Sequence, residues 1–188
     1  TDITRTYPLG ELTEDEKRFY TWTLQSHIDL ARAVWLDYCE CKMIDTIARE
    51  PLWRHLINYR CGTGHSVSFV GNVHEGPHAL NSRNTTRMRP GMVVTDEPGV
   101  YETDLVGIRI ENELVCIHKA DNQYGTFLGF EPLTFVPIAT SPILPGVLDK
   151  DEIAWLNDYH RQVFAKLAPH LNDEERSWLA EKCAAIGC

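Results

Sequence analysis

The stretch Gly107–Ile117, GIRIENELVCI, decides the fold of this chain because its first residues alternate between apolar and charged side chains. Ile108 and Ile110 fall on one face of the predicted strand and are expected to pack into a core. The opposite face carries three charged residues, Arg109, Glu111 and Glu113. Charged groups within a sheet have to be solvated, paired in salt bridges or bound to metal. A wet outer face on which Arg109 pairs with Glu111 is one interpretation, and a metal site is another.

Further β-rich runs surround this stretch between Cys61 and about Pro137. They read SVSFV, GMVVTDE and GTFLGFEPLTFVPI, and glycine, proline and asparagine separate them. This pattern predicts a sheet of several mostly antiparallel strands.

Helical patterns flank the strand region on both sides. A capping box at Thr13 and Glu16 opens a predicted helix whose apolar residues recur as far as Tyr38, and a second helix is predicted from about Lys42 to Ile57, where Pro51 is expected to kink or split it. Caps at Asp149 with Glu152 and at Asn172 with Glu175 predict two further helices. Ser141–Leu148 is the candidate linker, so the predicted domains are residues 1–140 and a helical extension at 141–188.

Composition narrows the function classes. The 188 residues carry a formal charge of −9 without a basic stripe, which argues against nucleic acid as a partner. No run approaches the ~18 apolar residues that a membrane span needs, so no membrane partner is expected. The six cysteines are scattered, which favours free thiols and a cytoplasmic location. Cys39 and Cys41 lack a second ligand pair at zinc-site spacing and are not predicted to bind metal.

The segment Gly62–His78, GTGHSVSFVGNVHEGPH, gathers three histidines among glycines. A histidine in such a loop is commonly a surface group, but carboxylates follow nearby in TDEPG and GIRIENE. One imidazole with several carboxylates suits Mn²⁺, Co²⁺, Fe²⁺ or Zn²⁺, and bridging carboxylates allow a dinuclear centre. Composition leaves several acids as rival ligands: Glu75, Asp96, Glu102, Asp104 and Glu113.

The ordered motifs TDITRTYP, GTGH, NVHEGP, DEPGVYE and GIRIENE resemble the catalytic domain of the Xaa-Pro aminopeptidases, the aminopeptidase P branch of the pita-bread metallopeptidases. The tail from FEPLTFVPI onward resembles the C-terminal extension of the long aminopeptidase P forms. The resemblance implies an α+β fold, a partial pita-bread (creatinase/aminopeptidase) fold with a curved, mostly antiparallel sheet flanked by helices, plus C-terminal helices.

The resemblance also implies roles for individual residues. The implied metal ligands are Asp2, His65, Glu97 and Glu111, with Asp2 and Glu111 bridging two divalent ions, most plausibly Mn²⁺. The implied catalytic residues are Glu97, which handles a proton, His74, which contacts the substrate or intermediate, and Arg109, which lies beside the metals. Gly62 and Gly64 are expected to let the backbone pass close to the site.

The family has one further aspartate ligand upstream of the position of Asp2, so we expect a C-terminal fragment that holds one ion or none and is inactive without the missing N-terminal part. Cys61 stands where the family commonly has histidine, and Ser66 and Ser68 stand where it has glycines. Cys61 removes an imidazole and adds a soft thiol near the metals. Neutral variation is the alternative explanation.

The implied function is a metal-dependent aminopeptidase that releases the N-terminal residue from peptides with proline in second position. Alternatives are a prolidase-type dipeptidase, a metal-free amidinohydrolase like creatinase, and a non-catalytic pita-bread domain that binds peptides or proteins. The retained Glu97 and Glu111 argue against the last two. A homodimer formed through Trp155 or Trp178 is a further expectation, with packing against the catalytic sheet as its alternative.

Overall fold

The computed structural model describes residues 2–187, so Thr1 and Cys188 lie outside the described residues. Helices and strands alternate irregularly along the chain, which gives the expected α+β class. The helices are α1 (Glu14–Ala31), α2 (Cys41–Trp53), α3 (Lys150–Leu167) and α4 (Asp173–Lys182), with a short 3₁₀ helix at Ala168–His170. The strands are β1 (Val34–Leu36), β2 (Gly64–His65), β3 (Ala79–Leu80), β4 (Val93–Asp96), β5 (Gly99–Glu102), β6 (Val106–Arg109), β7 (Asn112–Asn122) and β8 (Gly125–Pro132).

The main sheet has the strand order β1–β8–β7–β4, and every pairing in it is antiparallel. The long hairpin of β7 and β8 forms its centre, with a register shift between His118 and Ala120. Two antiparallel ribbons, β2–β3 and β5–β6, lie outside this sheet. The mostly antiparallel sheet predicted from the sequence is therefore confirmed.

Isolated bridges join the ribbons and the N-terminal segment to the main sheet. Thr4 pairs with Glu111, and Ser66 pairs with Val94. These two bridges bring the first residues of the chain and the end of β2 against the ends of β4 and β7. The histidine-bearing and carboxylate-bearing motifs consequently meet at one place.

The first helix begins where the sequence predicted but ends earlier. Its capping box at Thr13 and Glu16 is present, but α1 ends at Ala31 and the following apolar residues form β1. Trp35 is buried and its ring lies 4.6 Å from that of Phe130, its neighbour on β8. Apolar residues continue at helical spacing past Ala31, but strand pairing and this aromatic contact stabilise them as β1 instead.

The second helix, α2, begins one residue earlier than predicted and ends at Trp53 rather than Ile57. Pro51 does not split this helix, which continues past it to Trp53, and it costs α2 only one backbone hydrogen bond near its end. Leu56, within the predicted helix, instead adopts a positive φ of 60° in the following loop.

The stretch GIRIENE is not one strand. β6 ends at Arg109 and β7 begins at Asn112, and the two belong to different sheets. The alternation nevertheless holds through the break, since Ile108 and Ile110 are buried in a core beneath α1. The run GTFLGFEPLTFVPI also stays a strand only as far as Pro132.

The C-terminal helices share that same core. Both predicted capping boxes are present, at Asp149 with Glu152 and at Asn172 with Glu175. The apolar side chains that fill this core come from α1, the β6–β7 junction and α3, with one residue from α4: Tyr20, Leu24, Ile28, Ile108, Ile110, Leu156, Tyr159, Val163 and Leu179. The extension is therefore packed against α1 and the β6–β7 junction rather than tethered beside them.

Candidate metal centre

The four side chains predicted to bind metal converge, although they come from four separate segments. Asp2 lies just before the bridged residue Thr4, His65 ends β2, Glu97 follows β4, and Glu111 lies between β6 and β7. His65 Nε2 is 3.3 Å from Asp2 Oδ2 and 3.3 Å from Glu97 Oε1. The sequence motifs therefore meet as the resemblance implied.

Two overlapping sets of potential ligand atoms share His65. One contains Asp2, His65 and His74, and the other contains His65, Glu97 and Glu111. Within each set the atoms lie within 4.8 Å of one another, close enough for a single ion. Mixed imidazole and carboxylate donors of this kind suit borderline divalent metals.

The backbone of β2 passes very close to β4, and this approach requires glycine at position 64. A Cβ atom added to Gly64 would lie 1.8 Å from the carbonyl oxygen of Thr95. The Thr95 hydroxyl accepts a hydrogen bond from the backbone N–H of His65 (2.9 Å) and donates one to Glu97 Oε1 (3.1 Å). Thr95 thus fixes the imidazole-bearing and carboxylate-bearing segments relative to each other.

The orientation of the His65 ring is set by its second nitrogen. In the tautomer protonated at Nδ1, that N–H donates to the carbonyl oxygen of Ser66 at 3.1 Å. The Nε2 lone pair then points to Asp2 and Glu97. This arrangement is the usual way in which proteins fix a metal-binding histidine.

Glu111 is almost completely buried and is held by the N-terminal segment. The Thr4 hydroxyl donates to Glu111 Oε2 at 2.5 Å, and Arg109 Nε donates to the same hydroxyl oxygen at 3.0 Å. The Arg109 guanidinium also lies 3.7 Å from one carboxylate oxygen of each of Glu97 and Glu111. Arg109 therefore offsets part of the negative charge gathered here, as its predicted position beside the metals requires.

Burial raises the pKa of the Glu97 carboxyl, an effect that Thr95, His65 and Arg109 partly oppose. Burial also raises the pKa of Glu111, with hydrogen bonding from Thr4 acting in the opposite direction and the charges of Glu97 and Asp2 adding to the increase. Carboxylates crowded in this way gain from a bound cation. This chemistry fits divalent metal, so the donor set meets the requirement that the resemblance imposes.

His74 lies on an exposed loop and faces His65, with ring centroids 3.9 Å apart. Both histidines line a cavity of about 500 Å³ together with the three carboxylates Asp2, Glu97 and Glu111 and with Arg109. Cys61 also lines this cavity, so the departure from histidine noted in the sequence falls beside the site. The cavity is large enough to receive the end of a peptide.

The rival acids lie outside both sets of potential ligand atoms. Asp96 points away into the core, where its Oδ2 lies 3.1 Å from Nδ1 of the buried His27. Glu113 accepts a hydrogen bond from the backbone N–H of Asp2 at 3.0 Å. Three others, Glu75, Glu102 and Asp104, are exposed and belong to neither ligand set. Cys39 and Cys41 also belong to neither set.

Sequence reasoning missed Thr4 and Thr95, the two hydroxyls that hold the ligands in place. Both lie inside quoted motifs, Thr4 two residues after Asp2 and Thr95 two residues before Glu97. A hydroxyl spaced two residues from a predicted ligand lies on the same side of an extended segment, which is the signal that could have identified them.

Comparison with known proteins agrees with this geometry. Residues 1–118 match the model of metallopeptidase family M24, and residues 126–186 match that of the C-terminal region of peptidase M24. Aminopeptidase P1 of Lotus japonicus is 41% identical over the whole chain, which covers 29% of that relative. The chain thus spans under a third of the length of the curated relatives it matches.

Two solved structures resemble the fold to different extents. The X-prolyl aminopeptidase from Caenorhabditis elegans, described as a cytosolic enzyme with a di-nuclear active site, superposes with a TM-score of 0.93 at 38% identity over 99% of this chain and 31% of its own. The prolidase from Pyrococcus furiosus gives 0.61 at 28% identity over 71% of this chain and 36% of its own. The expected partial pita-bread fold is therefore confirmed. Among the described residues, no helix combines the length and apolarity needed to cross a bilayer.

Proposed function

We propose the function of this chain from its membership of metallopeptidase family M24. The chain carries most of the active site of an aminopeptidase that releases the first residue from peptides with proline in second position. The observation that carries this proposal is the convergence of Asp2, His65, Glu97 and Glu111 around one cavity. The proline specificity is proposed from two of the relatives, aminopeptidase P1 and the X-prolyl aminopeptidase.

The proposed ligands are Asp2, His65, Glu97 and Glu111, and the proposed metal is Mn²⁺, with Co²⁺, Fe²⁺ or Zn²⁺ as substitutes. A dinuclear centre is supported by the di-nuclear active site of the Caenorhabditis elegans enzyme and by the two overlapping donor sets in this chain. Divalent ions held by these residues would act as Lewis acids toward a peptide carbonyl and would acidify water.

The side chains have separable roles in the proposed reaction. Glu97, whose pKa is raised by burial, is suited to accept a proton and to return it to the leaving imino nitrogen of proline. His74 lines the same cavity beside His65 and is suited to donate a hydrogen bond to the carbonyl oxygen of the first residue. Arg109 holds Glu97 and Glu111 in place through its guanidinium.

Alternative functions are less well supported. A prolidase-type dipeptidase is disfavoured because the Pyrococcus furiosus prolidase covers only 71% of this chain, whereas the match to the Caenorhabditis elegans enzyme includes the C-terminal helices. A non-catalytic peptide-binding domain is disfavoured because all four ligand positions within the chain are filled. A cytoplasmic location is proposed from the description of that same cytosolic enzyme.

We also propose that the chain divides into residues 1–140 and 141–188. A further proposal is that the protein forms a homodimer. Trp178 is 56% exposed and is the better candidate for a dimer contact, since Trp155 packs within the protein and stacks on Tyr159. Sedimentation of the wild type beside Trp178→Ser tests this proposal. A wild type that sediments as a monomer would contradict it.

The metal site is tested by titrating Mn²⁺ into this chain by calorimetry. Glu111→Ala removes a proposed ligand, and Glu131→Ala, an exposed acid on β8, is the matched control. We expect binding that is lost in the first variant and kept in the second. A wild type that does not bind Mn²⁺, or equal loss in both variants, would contradict the ligand set. Titration of an Ala-Pro peptide against an Ala-Ala peptide then tests the preference for proline.

A further inference from the structure

A second cavity adjoins the proposed metal cavity and differs from it in charge. Its volume is about 650 Å³, and it shares Cys61, Gly62 and Asn81 with the metal cavity. Its other lining residues include Arg49, Arg60 and Arg83, and no acidic side chain of the described residues lines it. In a chain with a formal charge of −9, this is a distinctly basic surface.

The two walls of this cavity are outward continuations of the β2–β3 ribbon. Gly64 pairs with Leu80, and the backbone N–H of Thr63 donates to the carbonyl oxygen of Leu80 at 2.8 Å. Outward from this ladder, the segment that precedes β2 contains Arg60, and the segment that follows β3 contains Arg83. The two arginines therefore line one cavity from two different segments, and this cavity adjoins the metal cavity.

Both walls are held firmly by hydrogen bonds. The buried guanidinium of Arg49 donates to the carbonyl oxygens of Tyr59 and Cys61, each at 2.8 Å, which fixes the backbone on either side of Arg60. On the other wall, Asn81 Oδ1 accepts hydrogen bonds from the backbone N–H groups of Arg83 and Asn84, each at 3.0 Å. The backbone that carries both arginines is thus set before any ligand arrives.

The charge of Arg49 is already used, because its Nε donates to Asp45 Oδ2 at 2.7 Å. Arg60 and Arg83 differ, since neither guanidinium has an ion-pair partner among residues 2–187. Two free guanidinium groups facing one opening make a site for a carboxylate, which arginine binds through paired N–H groups.

We propose that Arg60 and Arg83 form a carboxylate-binding subsite for the part of a peptide substrate that follows proline. This inference rests on the proposed function. An aminopeptidase takes the first residue into the metal cavity, so the rest of the peptide has to leave through an adjoining space, and the adjoining basic cavity provides one. The carboxylate comes either from an acidic side chain at the third position or from the C-terminus of a tripeptide.

Calorimetric titration of peptides into this chain in the presence of Mn²⁺ tests the subsite. Ala-Pro-Glu-Ala-amide is compared with Ala-Pro-Gln-Ala-amide, and Ala-Pro-Ala with its amide, so that the two sources of carboxylate are separated. Charge-assisted hydrogen bonds at partly exposed groups predict affinity about tenfold higher for the peptide with the carboxylate. Added salt should reduce this preference because both arginines are exposed.

The double variant Arg60→Ala with Arg83→Ala should bind the acidic peptide no more tightly than the neutral one. The matched control, Arg87→Ala with Arg89→Ala, removes two exposed arginines outside the cavity and should keep the preference. Equal affinity of acidic and neutral peptides for the wild type would overturn the proposal, as would a preference that survives in the double variant.

Two further peptides separate this inference from the proposed function. Glu-Pro-Gln-Ala-amide places the carboxylate on the first residue, and a preference for it that depends on the two arginines would overturn the assignment to the residues after proline. Ala-Ala-Glu-Ala-amide lacks proline. Binding of this peptide as tight as that of Ala-Pro-Glu-Ala-amide, still dependent on Arg60 and Arg83, would overturn the proline specificity and support the anion site itself.

Discussion

At the scale of single residues, the candidate metal centre depends on atoms that bind no metal in our proposal. The hydroxyl of Thr4 contacts both Glu111 and Arg109, and the hydroxyl of Thr95 contacts both His65 and Glu97. Thr95 thus joins two site residues from different segments, and Thr4 attaches the N-terminal segment to both Arg109 and Glu111. The ligands are positioned in advance, so that less ordering is required when a cation binds.

The variant Thr4→Val tests this role of a hydroxyl because it keeps the shape of the side chain and removes its hydrogen bonds. Glu111 then loses its donor, and we expect Mn²⁺ affinity to fall about tenfold, a typical effect for an outer-shell partner. Thr4→Ser keeps the hydroxyl and should bind Mn²⁺ nearly as the wild type does. Calorimetry on the three proteins measures the difference, and equal affinity of the valine variant would contradict the role assigned to Thr4.

Gly64→Ala tests the close approach of β2 to β4. Its Cβ would lie 1.8 Å from the carbonyl oxygen of Thr95, so the two strands would have to separate. We expect a loss of about 2 kcal/mol or more in the free energy of unfolding, as for other overpacking changes, together with weaker Mn²⁺ binding through displaced His65. Gly10→Ala is the control, since a Cβ there meets nothing within 4 Å. Urea unfolding measures stability, and equal values for both variants would refute the steric argument.

At the scale of elements, a buried hydrogen-bond network attaches α3 to the motif that carries Asp2. The Arg5 guanidinium donates to the carbonyl oxygen of Glu111 at 2.7 Å, to Asn112 Oδ1 at 2.7 Å and to the hydroxyl of Tyr159 at 3.0 Å. Tyr159 belongs to α3, so the network connects the C-terminal extension to Asn112, the residue next to the proposed ligand Glu111. The next residue of the same helix, His160, accepts a hydrogen bond at Nε2 from the backbone N–H of Ile138 at 3.1 Å.

The stability of the attachment of α3 is expected to depend on pH. Burial lowers the pKa of His160 from 6.5 to about 4, because the neutral ring is favoured inside the protein. Between these values the unfolded chain binds more protons than the folded one, so the stability contributed by neutral His160 is present above pH 6.5 and is lost as pH falls toward 4. We expect this loss to be on the order of 2 kcal/mol.

The variant His160→Gln isolates this effect from other groups that titrate in the same range, such as Asp96, whose pKa burial raises to about 6. Glutamine keeps an acceptor for the Ile138 N–H but does not titrate. Urea unfolding of both proteins at pH 6.5 and at pH 4 should give a smaller change for the variant. A wild type and variant with the same pH dependence would show that His160 is not the group responsible.

At the scale of the whole molecule, the C-terminal extension shares one core with α1 and the β6–β7 junction. Leu156 and Val163 of α3 are fully buried in the cluster that contains Leu24 and Ile28 of α1. The proposed boundary at residues 140 and 141 therefore separates two parts of the sequence without separating two cores. Residues 141–188 are expected to add stability to residues 1–140 instead of folding by themselves.

Unfolding measured by calorimetry should consequently show one transition for the whole chain. Leu156→Ala should lower the free energy of unfolding by about 3 kcal/mol, as for other fully buried leucines, and should shift that single transition. Leu9→Ala, at a fully exposed leucine, is the control and should leave the transition unchanged. Two separate transitions, of which the variant shifts only one, would contradict the shared core.

The sequence by itself determined the local features, because they depend on neighbours along the chain. The three capping boxes, the alternation of Ile108 and Ile110 with charged residues, and the α+β class were all predictable from patterns of a few residues. The resemblance of several short motifs to a known family predicted the pita-bread fold as well. The same motifs named the four candidate ligands, whose convergence in space the structure then displayed.

Only the tertiary structure decided features that depend on contacts distant in sequence. Trp35 lies in a strand because β8 and Phe130 are there to pair with it, and no local pattern encodes that partner. The Asp96 side chain points into the core, away from Glu97, because it contacts His27 of α1 there. The joining of α3 to the site through Arg5, and the presence of Arg60 and Arg83 in the lining of one cavity, likewise follow from three-dimensional packing. Residues far apart in sequence become neighbours only when the core closes, and their charges and hydrogen bonds are then fixed by that packing.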